Sequence, residues 1–282
     1  MLNKSTAIKK QTISILGCGW YGLALAKRLL AAGYAVKGST TSPEKVEILS
    51  SLGIQAFLLN FQEQEIKNDP DFFNTDILVI AIPPKRSSSE QSTFSGKIQK
   101  ISSLAQAAKV PQVIFISSTA VYGESNAEIT AASQPLPDTA SGKAMLETEQ
   151  LLSANTSFST TILRFAGLIG PGRNPGRFFA GKQDIPNGQA PVNLVHQEDC
   201  VEFTLALIHQ AAFGVIYNVC SPDHPSKQEF YVKAARQSQL PLPSFNDELL
   251  KWKIISGLPA NSAFNYEYRI ADFSKWMDTD SL

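Results

Sequence analysis

The sequence contains little cysteine and no apolar run long enough to cross a membrane. Its three cysteines are widely scattered (Cys18, Cys200 and Cys220), and this odd number fits neither a disulfide framework nor the ligand spacing of a zinc site. No apolar run approaches the roughly 18 residues of a membrane span, and the first residues lack the apolar segment of a signal peptide. We therefore expect a cytoplasmic protein that binds no metal and no membrane.

The sequence also lacks an excess of either charge. Its 25 lysines and arginines balance 25 aspartates and glutamates, and the isoelectric point is about 6.8. A protein that binds nucleic acid usually presents a basic surface, because the phosphates dominate its affinity. The balanced charge argues against a nucleic-acid partner and leaves a small molecule as the expected ligand.

Short apolar runs rich in β-branched residues alternate with helical patterns through about residue 165. These runs are residues 13–16, 34–38, 56–59, 77–82, 113–117 and 160–165. They are nearly continuous in hydrophobicity, as expected for strands that are covered on both faces. Strands separated by helices in this way predict an α/β fold built on a doubly wound parallel sheet.

The composition changes after the sixth apolar run. Residues 170–191 are rich in Gly, Pro, Asn and Arg, which predicts a loop that leaves the sheet. A helix from about Glu198 to Ala211, capped by Asp199 or a neighbour, and a strand at residues 214–219 are expected to return to it.

This change of composition predicts two units. The larger is a sheet domain of residues 1–169, completed by about 195–220, with a frayed tail to about Lys10. The smaller is an α+β substrate lobe of residues 170–194 and 221–282. The sequence leaves open whether the protein is a monomer or a homodimer.

A glycine motif follows the first predicted strand directly. It reads Gly17-Cys18-Gly19-Trp20-Tyr21-Gly22 and continues into an amphipathic helix. In this strand–turn–helix context, GxGxxG is the dinucleotide-binding fingerprint of a Rossmann domain. Gly17 allows the tight turn, Gly19 lets the backbone approach the pyrophosphate, and Gly22 lets helix and strand pack closely, while amides at Trp20 and Tyr21 face the phosphates. The motif predicts NAD or NADP as cofactor.

The end of the second strand bears on the choice between NAD and NADP. NAD-specific proteins usually carry an acidic residue there for the ribose hydroxyls, and this sequence has Thr40, Thr41 and Ser42 instead. These hydroxyls can bind a 2′-phosphate, with Lys45 nearby as a charge partner. They can equally well cap the helix that starts at Pro43, so the pattern favours NADP only slightly.

Two further segments are expected to line the cofactor by their position in this fold. Asn60 follows the third strand, and Ala81, Ile82 and Pro83 follow the fourth. Since ligands bind at the carboxyl ends of parallel strands, these residues are expected near the adenine and ribose. Nothing in the surroundings of Cys18 in the sequence indicates a catalytic nucleophile.

Later segments resemble the extended short-chain dehydrogenase/reductase (SDR) enzymes of the NAD-dependent epimerase/dehydratase type. The segments that carry the resemblance are SSTAVYG at 117–123, LR at 163–164, GPGR at 170–173, VHQED at 195–199 and YNV at 217–219. They are similar to the SS(S/T)xxVYG, LRxxxxYGP, VHVxD and YNV landmarks, in the same order, and the resemblance covers about residues 11–230. It implies an NAD(P)-dependent oxidoreductase or epimerase that acts on a small hydroxy or keto compound.

The resemblance also implies catalytic residues, with one departure from the family. It carries the family's serine onto Ser118 and its lysine, which also binds the nicotinamide ribose, onto Lys143, but Thr139 stands where the YxxxK tyrosine belongs. Tyrosine titrates near pH 10 and an aliphatic hydroxyl nearer 15.7, so the threonine oxyanion costs roughly 8 kcal/mol more. Spacing predicts that Thr139 and Lys143 share a helix face, where the threonine can still donate a hydrogen bond.

Other residues could take over the proton transfer of the missing tyrosine. Tyr122 lies in the resembling motif, where the family's tyrosine is mostly structural, and Tyr266 and Tyr268 lie in the predicted small lobe. His196 falls on a landmark usually explained by packing, and a lone histidine is more often structural than catalytic. None of these alternatives is favoured by the sequence.

The substrate side is represented by two arginines. Arg173 and Arg177 lie four residues apart in the glycine-rich loop and can clamp an anionic substrate, with solvated loop arginines as the equal alternative. Nucleotide-sugar epimerases of the resembling family carry an arginine where this sequence has Val192, which argues against a nucleotide sugar. The main alternative to an enzyme is a dinucleotide-binding sensor or regulator that has lost the tyrosine.

Overall fold

The computed structural model describes residues 11–61, 69–84, 88–257, 264 and 266–279, with side chains undescribed at 88–92. The frayed tail predicted to about Lys10 lies outside the described residues. No helix within the described ranges is long and apolar enough to span a bilayer.

The described chain contains eleven strands, numbered in chain order. They are β1 (Thr12–Leu16), β2 (Ala35–Thr40), β3 (Gln55–Leu58), β4 (Ile77–Ile80), β5 (Gln112–Ser118), β6 (Ala127–Ile129), β7 (Ser159–Phe165), β8 (Gly167–Ile169), β9 (Leu194–His196), β10 (Ile216–Val219) and β11 (Lys253–Ile255).

Helices connect most of these strands. They are α1 (Trp20–Ala31), α2 (Glu44–Ser51), α3 (Pro70–Phe73), α4 (Ser88–Ala107), α5 (Ala140–Ser153), α6 (Gln197–His209), α7 (Lys227–Gln237) and α8 (Phe273–Thr279). Short 3-10 helices lie at Thr119–Val121 and Pro175–Arg177.

The main sheet has seven parallel strands in the order β10-β7-β5-β4-β1-β2-β3. Chain order reverses on either side of β1, because β2 lies beside it on one flank and β4 on the other. This is the doubly wound Rossmann arrangement, and the predicted α/β fold class is confirmed. A switch point of this kind leaves a crevice at the carboxyl ends of the strands, where ligands bind.

The core explains why the apolar runs form the centre of the sheet. Strand β4 is fully buried at all of its positions, Ile77, Leu78, Val79 and Ile80. Burial of a branched apolar side chain contributes roughly 1.5–3 kcal/mol, so a run of such residues stabilises a central strand strongly. Strands covered by helices on both faces need this continuous pattern.

A second, smaller apolar cluster lies beyond the sheet. It is formed by residues in or next to β8, β9, α7 and α8: Ile169, Val192, Leu194, Phe230, Ala234, Ile270, Phe273, Trp276 and Met277. The predicted loop after the sixth run contains only the 3-10 helix at Pro175–Arg177 between β8 and β9. The predicted division into a sheet domain and a substrate lobe stays a prediction.

Candidate dinucleotide site

A cleft opens at the carboxyl ends of β1 to β4, on the β2 side of the switch point. Its volume is about 370 Å³. Nine of the residues predicted to bind the cofactor line it: Gly17, Gly19, Thr40, Thr41, Ser42, Asn60, Ala81, Ile82 and Pro83. The tertiary structure therefore brings together the ends of four strands that are distant in sequence.

The three glycines of the motif are needed for three different reasons. Gly17 has φ of +101°, in the left-handed region that favours glycine, and a Cβ on it would lie 2.7 Å from a methyl group of Ile82. A Cβ on Gly22 would lie 2.2 Å from the carbonyl oxygen of Gly17, so α1 packs on the loop only without one. A Cβ on Gly19 would meet no atom within 4 Å.

Gly19 therefore marks open space at the start of α1. Its backbone is in the extended region, with φ of −85° and ψ of −151°, so neither strain nor packing of the described residues requires glycine there. The space lies where the first amides of α1 have no partners within the helix. A phosphate group fits this cradle, because the amides and the helix dipole both favour an anion.

The far wall of the cleft carries hydroxyl groups and positive charge. Thr40, Thr41 and Ser42 line it beside Lys45 of α2, and the Ser42 amide donates to Thr40 Oγ1 at 3.1 Å. Lys97 of α4 also lines the cleft. Among the described lining residues the charged ones are these two lysines, so the wall suits an anionic ligand.

Lys97 is a charged lining residue that sequence reasoning missed. It lies in α4, well beyond the end of β4, and its approach to the cleft depends on how that helix packs. The spacing of motifs in the sequence does not indicate how a helix packs.

Cys18 lies in the glycine loop but has no nucleophilic character. Its side chain is buried, and a Cβ on Gly38 would lie 2.7 Å from its sulfur. Burial raises the pKa of the Cys18 thiol to about 12, so it is a thiol and not a thiolate at neutral pH. This agrees with the sequence, which offered no sign of a nucleophile.

Trp20 and Tyr21 have structural contacts away from the cleft. The Tyr21 hydroxyl forms a 2.7 Å hydrogen bond with Thr204 Oγ1 of α6, and its ring packs edge-on against Phe165. The Trp20 indole NH donates to the carbonyl of Pro171 at 2.6 Å. These side chains join the glycine loop to the rest of the molecule, and only their backbone amides can contribute to phosphate binding.

Ser118 and the start of α5 are brought close together. A Cβ on Gly142 would lie 2.2 Å from the carbonyl oxygen of Ala120, so α5 rests directly on the turn that follows Ser118. Ser118 Oγ accepts a hydrogen bond from the Ala120 amide at 3.1 Å, which leaves its hydroxyl proton available to a ligand. Lys143 is exposed in the first turns of α5.

Thr139 does not lie within the helix as predicted. It is the N-cap residue, with φ of −110° and ψ of 152°, and its Oγ1 accepts from the Gly142 amide at 3.1 Å. The expectation that Thr139 and Lys143 share a helix face stays a prediction, since α5 begins at Ala140 and Thr139 directly precedes it. The link between the two is a backbone hydrogen bond, from the Lys143 amide to the Thr139 carbonyl.

The tyrosines considered as replacements are already hydrogen-bonded; Tyr122 is buried, and Tyr266 and Tyr268 are half-buried. The Tyr122 hydroxyl accepts from Arg164 at 2.5 Å and donates to Asn218 Oδ1, and burial raises its pKa. Tyr266 donates to Asp199 Oδ1 at 2.8 Å, and Tyr268 accepts from the Cys220 amide. Burial raises the pKa of both groups.

His196 serves as a helix cap. It is the N-cap residue of α6, where Asp199 or a neighbour was expected, and its Nδ1 accepts from the Glu198 amide at 3.2 Å. Its ring packs against Trp276 with centroids 5.2 Å apart. This placement matches the structural interpretation of a lone histidine.

Asp199, which the sequence offered as a helix cap, has a different structural role. Its carboxylate is fully buried and accepts hydrogen bonds from Tyr266 Oη and from the amides of Arg269 and Ile270, at 2.7–3.1 Å. It thereby attaches the segment before α8 to α6. The last residue of the motif at 195–199 therefore joins α6 to residues 266–270.

Arg173 and Arg177 do not line the dinucleotide cleft but a separate groove. The Arg173 guanidinium stacks on the Trp20 ring at 4.2 Å from its centroid, and both arginines are exposed. Within the described ranges, no group of three or more His, Cys, Asp or Glu side chains is arranged to hold a metal.

Comparison with known proteins identifies the family. A family model described as NAD(P)H-binding matches residues 17–210, from the glycine loop through α6. The chain belongs to the NAD(P)H-binding family. It is also 38% identical over 265 residues to Protein YeeZ of Escherichia coli (strain K12), an alignment that covers 92% of this chain and 96% of that protein.

Solved structures show the same fold. UDP-glucuronic acid 4-epimerase from Bacillus cereus, in complex with NAD, superimposes with a TM-score of 0.78 at 17% identity, covering 95% of this chain and 94% of that one. A conserved protein of unknown function from Silicibacter pomeroyi DSS has a TM-score of 0.75 at 22% identity, covering 95% and 97%. This NAD(P)H-binding protein therefore shares the Rossmann-like fold of epimerase structures.

Proposed function

We propose that the protein is an atypical oxidoreductase or epimerase of the extended SDR type, which acts on a small hydroxy or keto compound. The observation that carries this proposal is the close approach of α5 to the turn after Ser118, where Gly142 rests on Ala120. A protein that only binds the dinucleotide has no need of a serine turn packed directly against the helix that carries Lys143.

The residues at this edge have distinct roles. The cofactor, when bound, accepts or donates a hydride. Ser118 donates its hydroxyl proton to the substrate oxygen, since its own oxygen is already held by the Ala120 amide. Lys143 binds the ribose and steadies the site electrostatically. Thr139 shapes the site by capping α5.

The preferred cofactor in this proposal is NADP. Lys45, Lys97 and the Thr40–Ser42 hydroxyls all line the cleft, and two positive charges favour a 2′-phosphate over a free hydroxyl. Thr40→Asp is expected to shift preference towards NADH, because the carboxylate repels that phosphate. Calorimetry with NADPH and NADH tests this, and a wild-type preference for NADH above about tenfold contradicts it.

A panel of carbonyl and hydroxy compounds, followed by nicotinamide absorbance, tests the enzyme proposal. Lys143→Ala is expected to weaken cofactor binding and turnover together, and Ser118→Ala to lower turnover with little effect on cofactor affinity. Lys100→Ala and Ser103→Ala, at exposed positions of α4, are the matched controls and should change neither. Unchanged turnover in both test variants contradicts the assigned roles.

A dinucleotide sensor without redox chemistry is the second candidate. It is favoured by the hydrogen bonds already made by the hydroxyl groups that could replace the tyrosine: that of Thr139 caps α5, and those of Tyr122 and Tyr266 are bonded to Asn218 and Asp199. Tight binding of NADP(H) with no turnover across the panel would support the sensor over the enzyme.

A further inference from the structure

A second opening lies beyond β8, apart from the dinucleotide cleft. It is a groove of about 420 Å³ lined by Leu168, Gly172, Arg173, Asn174, Arg177 and Phe178. This volume is within the range of small-molecule sites, about 300–1,000 Å³. We call it the arginine groove.

The base of the arginine groove is rigid. Asn174 caps the 3-10 helix by accepting from the Gly176 amide at 2.7 Å, and its Nδ2 donates to Ser238 Oγ at 2.9 Å. A Cβ on Gly176 would lie 2.6 Å from the carbonyl oxygen of Ala234, so the turn rests directly on α7. Arg177 and Phe178 are therefore presented from a supported turn.

The groove combines positive charge with an exposed ring. Phe178 is 52% exposed although its edge contacts Tyr231, with ring centroids 6.2 Å apart. The lining residues include two guanidinium groups and no carboxylate. An oxyanion can pair with the planar fork of a guanidinium group, so this lining suits an anionic ligand.

The position of the groove relates it to the dinucleotide site. Strand β8 follows β7, which lies beyond β4 and β5, whereas the cleft lies at the ends of β1 to β4 and reaches towards β3. Arg173 bridges the two, because its guanidinium stacks on Trp20, the residue directly after Gly19. The groove thus adjoins the glycine loop through Arg173.

We infer that the arginine groove binds the substrate, and that the substrate carries an oxyanion, a carboxylate or a phosphate, attached to a flat apolar group. Arg177 and Arg173 bind the oxyanion, and Phe178 packs against the ring. This inference rests on the proposed function for its link to the reaction, and it deepens that proposal by naming the substrate class.

Direct binding tests the inference without turnover. Calorimetry on the full chain, with and without NADPH, compares phenylpyruvate and phenyl phosphate with pyruvate, which lacks the ring, and acetophenone, which lacks the anion. We expect the two aromatic anions to bind, and both single-feature probes to bind at least about tenfold more weakly. The stronger of the two aromatic anions distinguishes carboxylate from phosphate.

Two variants locate the binding. Arg177→Gln should weaken both aromatic anions by about tenfold, and Phe178→Ala should weaken them while leaving pyruvate unchanged. Arg236→Gln, at an exposed position of α7, is the matched control. Arg177→Lys, which retains the charge on the turn, should keep part of the affinity. It serves as the test variant if Arg177→Gln does not fold.

The inference is overturned if no aromatic anion binds, if acetophenone binds as well as phenylpyruvate, or if Arg236→Gln has the effect of Arg177→Gln. NADPH affinity is measured on the same samples. If the wild-type protein does not bind NADPH, the dinucleotide site is refuted, whatever the groove binds.

Discussion

Gly19 leaves a space in the protein that the described residues do not use. Gly17 is needed for its backbone angle and Gly22 for packing, whereas a side chain at position 19 would meet nothing within 4 Å. A position where the fold tolerates a side chain but the sequence has glycine indicates close approach of a ligand. Ligand binding, and not folding, explains the middle glycine of the motif.

Gly19→Asp is therefore expected to abolish NAD(P)H binding with little loss of stability. The carboxylate occupies the space at the N-terminus of α1 and repels the pyrophosphate. Calorimetry measures the affinity and thermal melting the stability. Ser103→Asp places the same carboxylate at an exposed position of α4 as a control. Unchanged affinity in Gly19→Asp would refute the site.

Thr139 is important for the start of a helix. Thr139→Ala removes the hydrogen bond to the Gly142 amide and should lower the free energy of unfolding by about 1 kcal/mol. Thr139→Ser keeps the capping oxygen and should cost much less. Urea denaturation of the two variants decides the matter, and equal stabilities would show that the cap contributes nothing. Thr139→Tyr should lose the same cap.

At the scale of elements, Asp199 joins α6 to the segment that leads into α8. Its two carboxylate oxygens accept from one hydroxyl and two amides of residues 266–270. A fully buried carboxylate is stable only with such partners, because desolvation penalises its charge. Asp199 thus supplies three of the hydrogen bonds that attach the segment before α8.

Asp199→Ala should destabilise the protein by about 3 kcal/mol or more, since it leaves buried donors unsatisfied. Amide hydrogen exchange at residues 266–270 should rise most. The comparison variant is Glu198→Gln, which removes an exposed ion pair with Arg269 and should cost less than about 1 kcal/mol. Exchange that rises evenly over the whole chain would contradict a local role for Asp199.

A buried charged pair connects three elements of the sheet domain. Arg164 of β7 pairs with Glu149 of α5 at 2.6 Å, both at about 3% side-chain exposure, and Ser117 of β5 donates to the same carboxylate. Arg164 also donates to Tyr122 after β5. Removal of one partner from such a pair leaves an uncompensated buried charge, so these elements depend on each other.

At the scale of the whole molecule, the three cysteines contribute to the response to alkaline pH. All are buried, and burial raises the pKa of each thiol, that of Cys18 to about 12. An unfolded thiol ionises near its ordinary pKa of 9.0, whereas the folded thiol does not. The stability contributed by the protonated thiols is therefore fully present below pH 9 and is lost as the pH rises towards 12.

Urea denaturation under reducing conditions should show this loss above pH 9, at about 1.4 kcal/mol per pH unit for each thiol. Cys18→Ala should reduce the slope of the unfolding free energy against pH by the contribution of one thiol. Its stability at pH 7 should change only through packing. A stability that is constant from pH 7 to 11 would show that the thiols are accessible to solvent.

The sequence by itself determined the local features of this protein. The strands were predicted because apolar runs such as residues 77–82 are recognisable from neighbouring residues alone, and the glycine motif was predicted because its spacing encodes a turn. The ends of β1 to β4 were expected to form one site because parallel strands place their carboxyl ends on one edge.

Only the tertiary structure decided which side chains reach that edge. The beginning of α5 at Ala140 made Thr139 a cap, and the packing of α4 brought Lys97 to the cleft. The contact of Trp20 with Pro171 and Arg173 joins residues about 150 positions apart. Such contacts depend on helix rotation and loop path, which arise from packing of the whole chain and leave no periodic signal in the sequence.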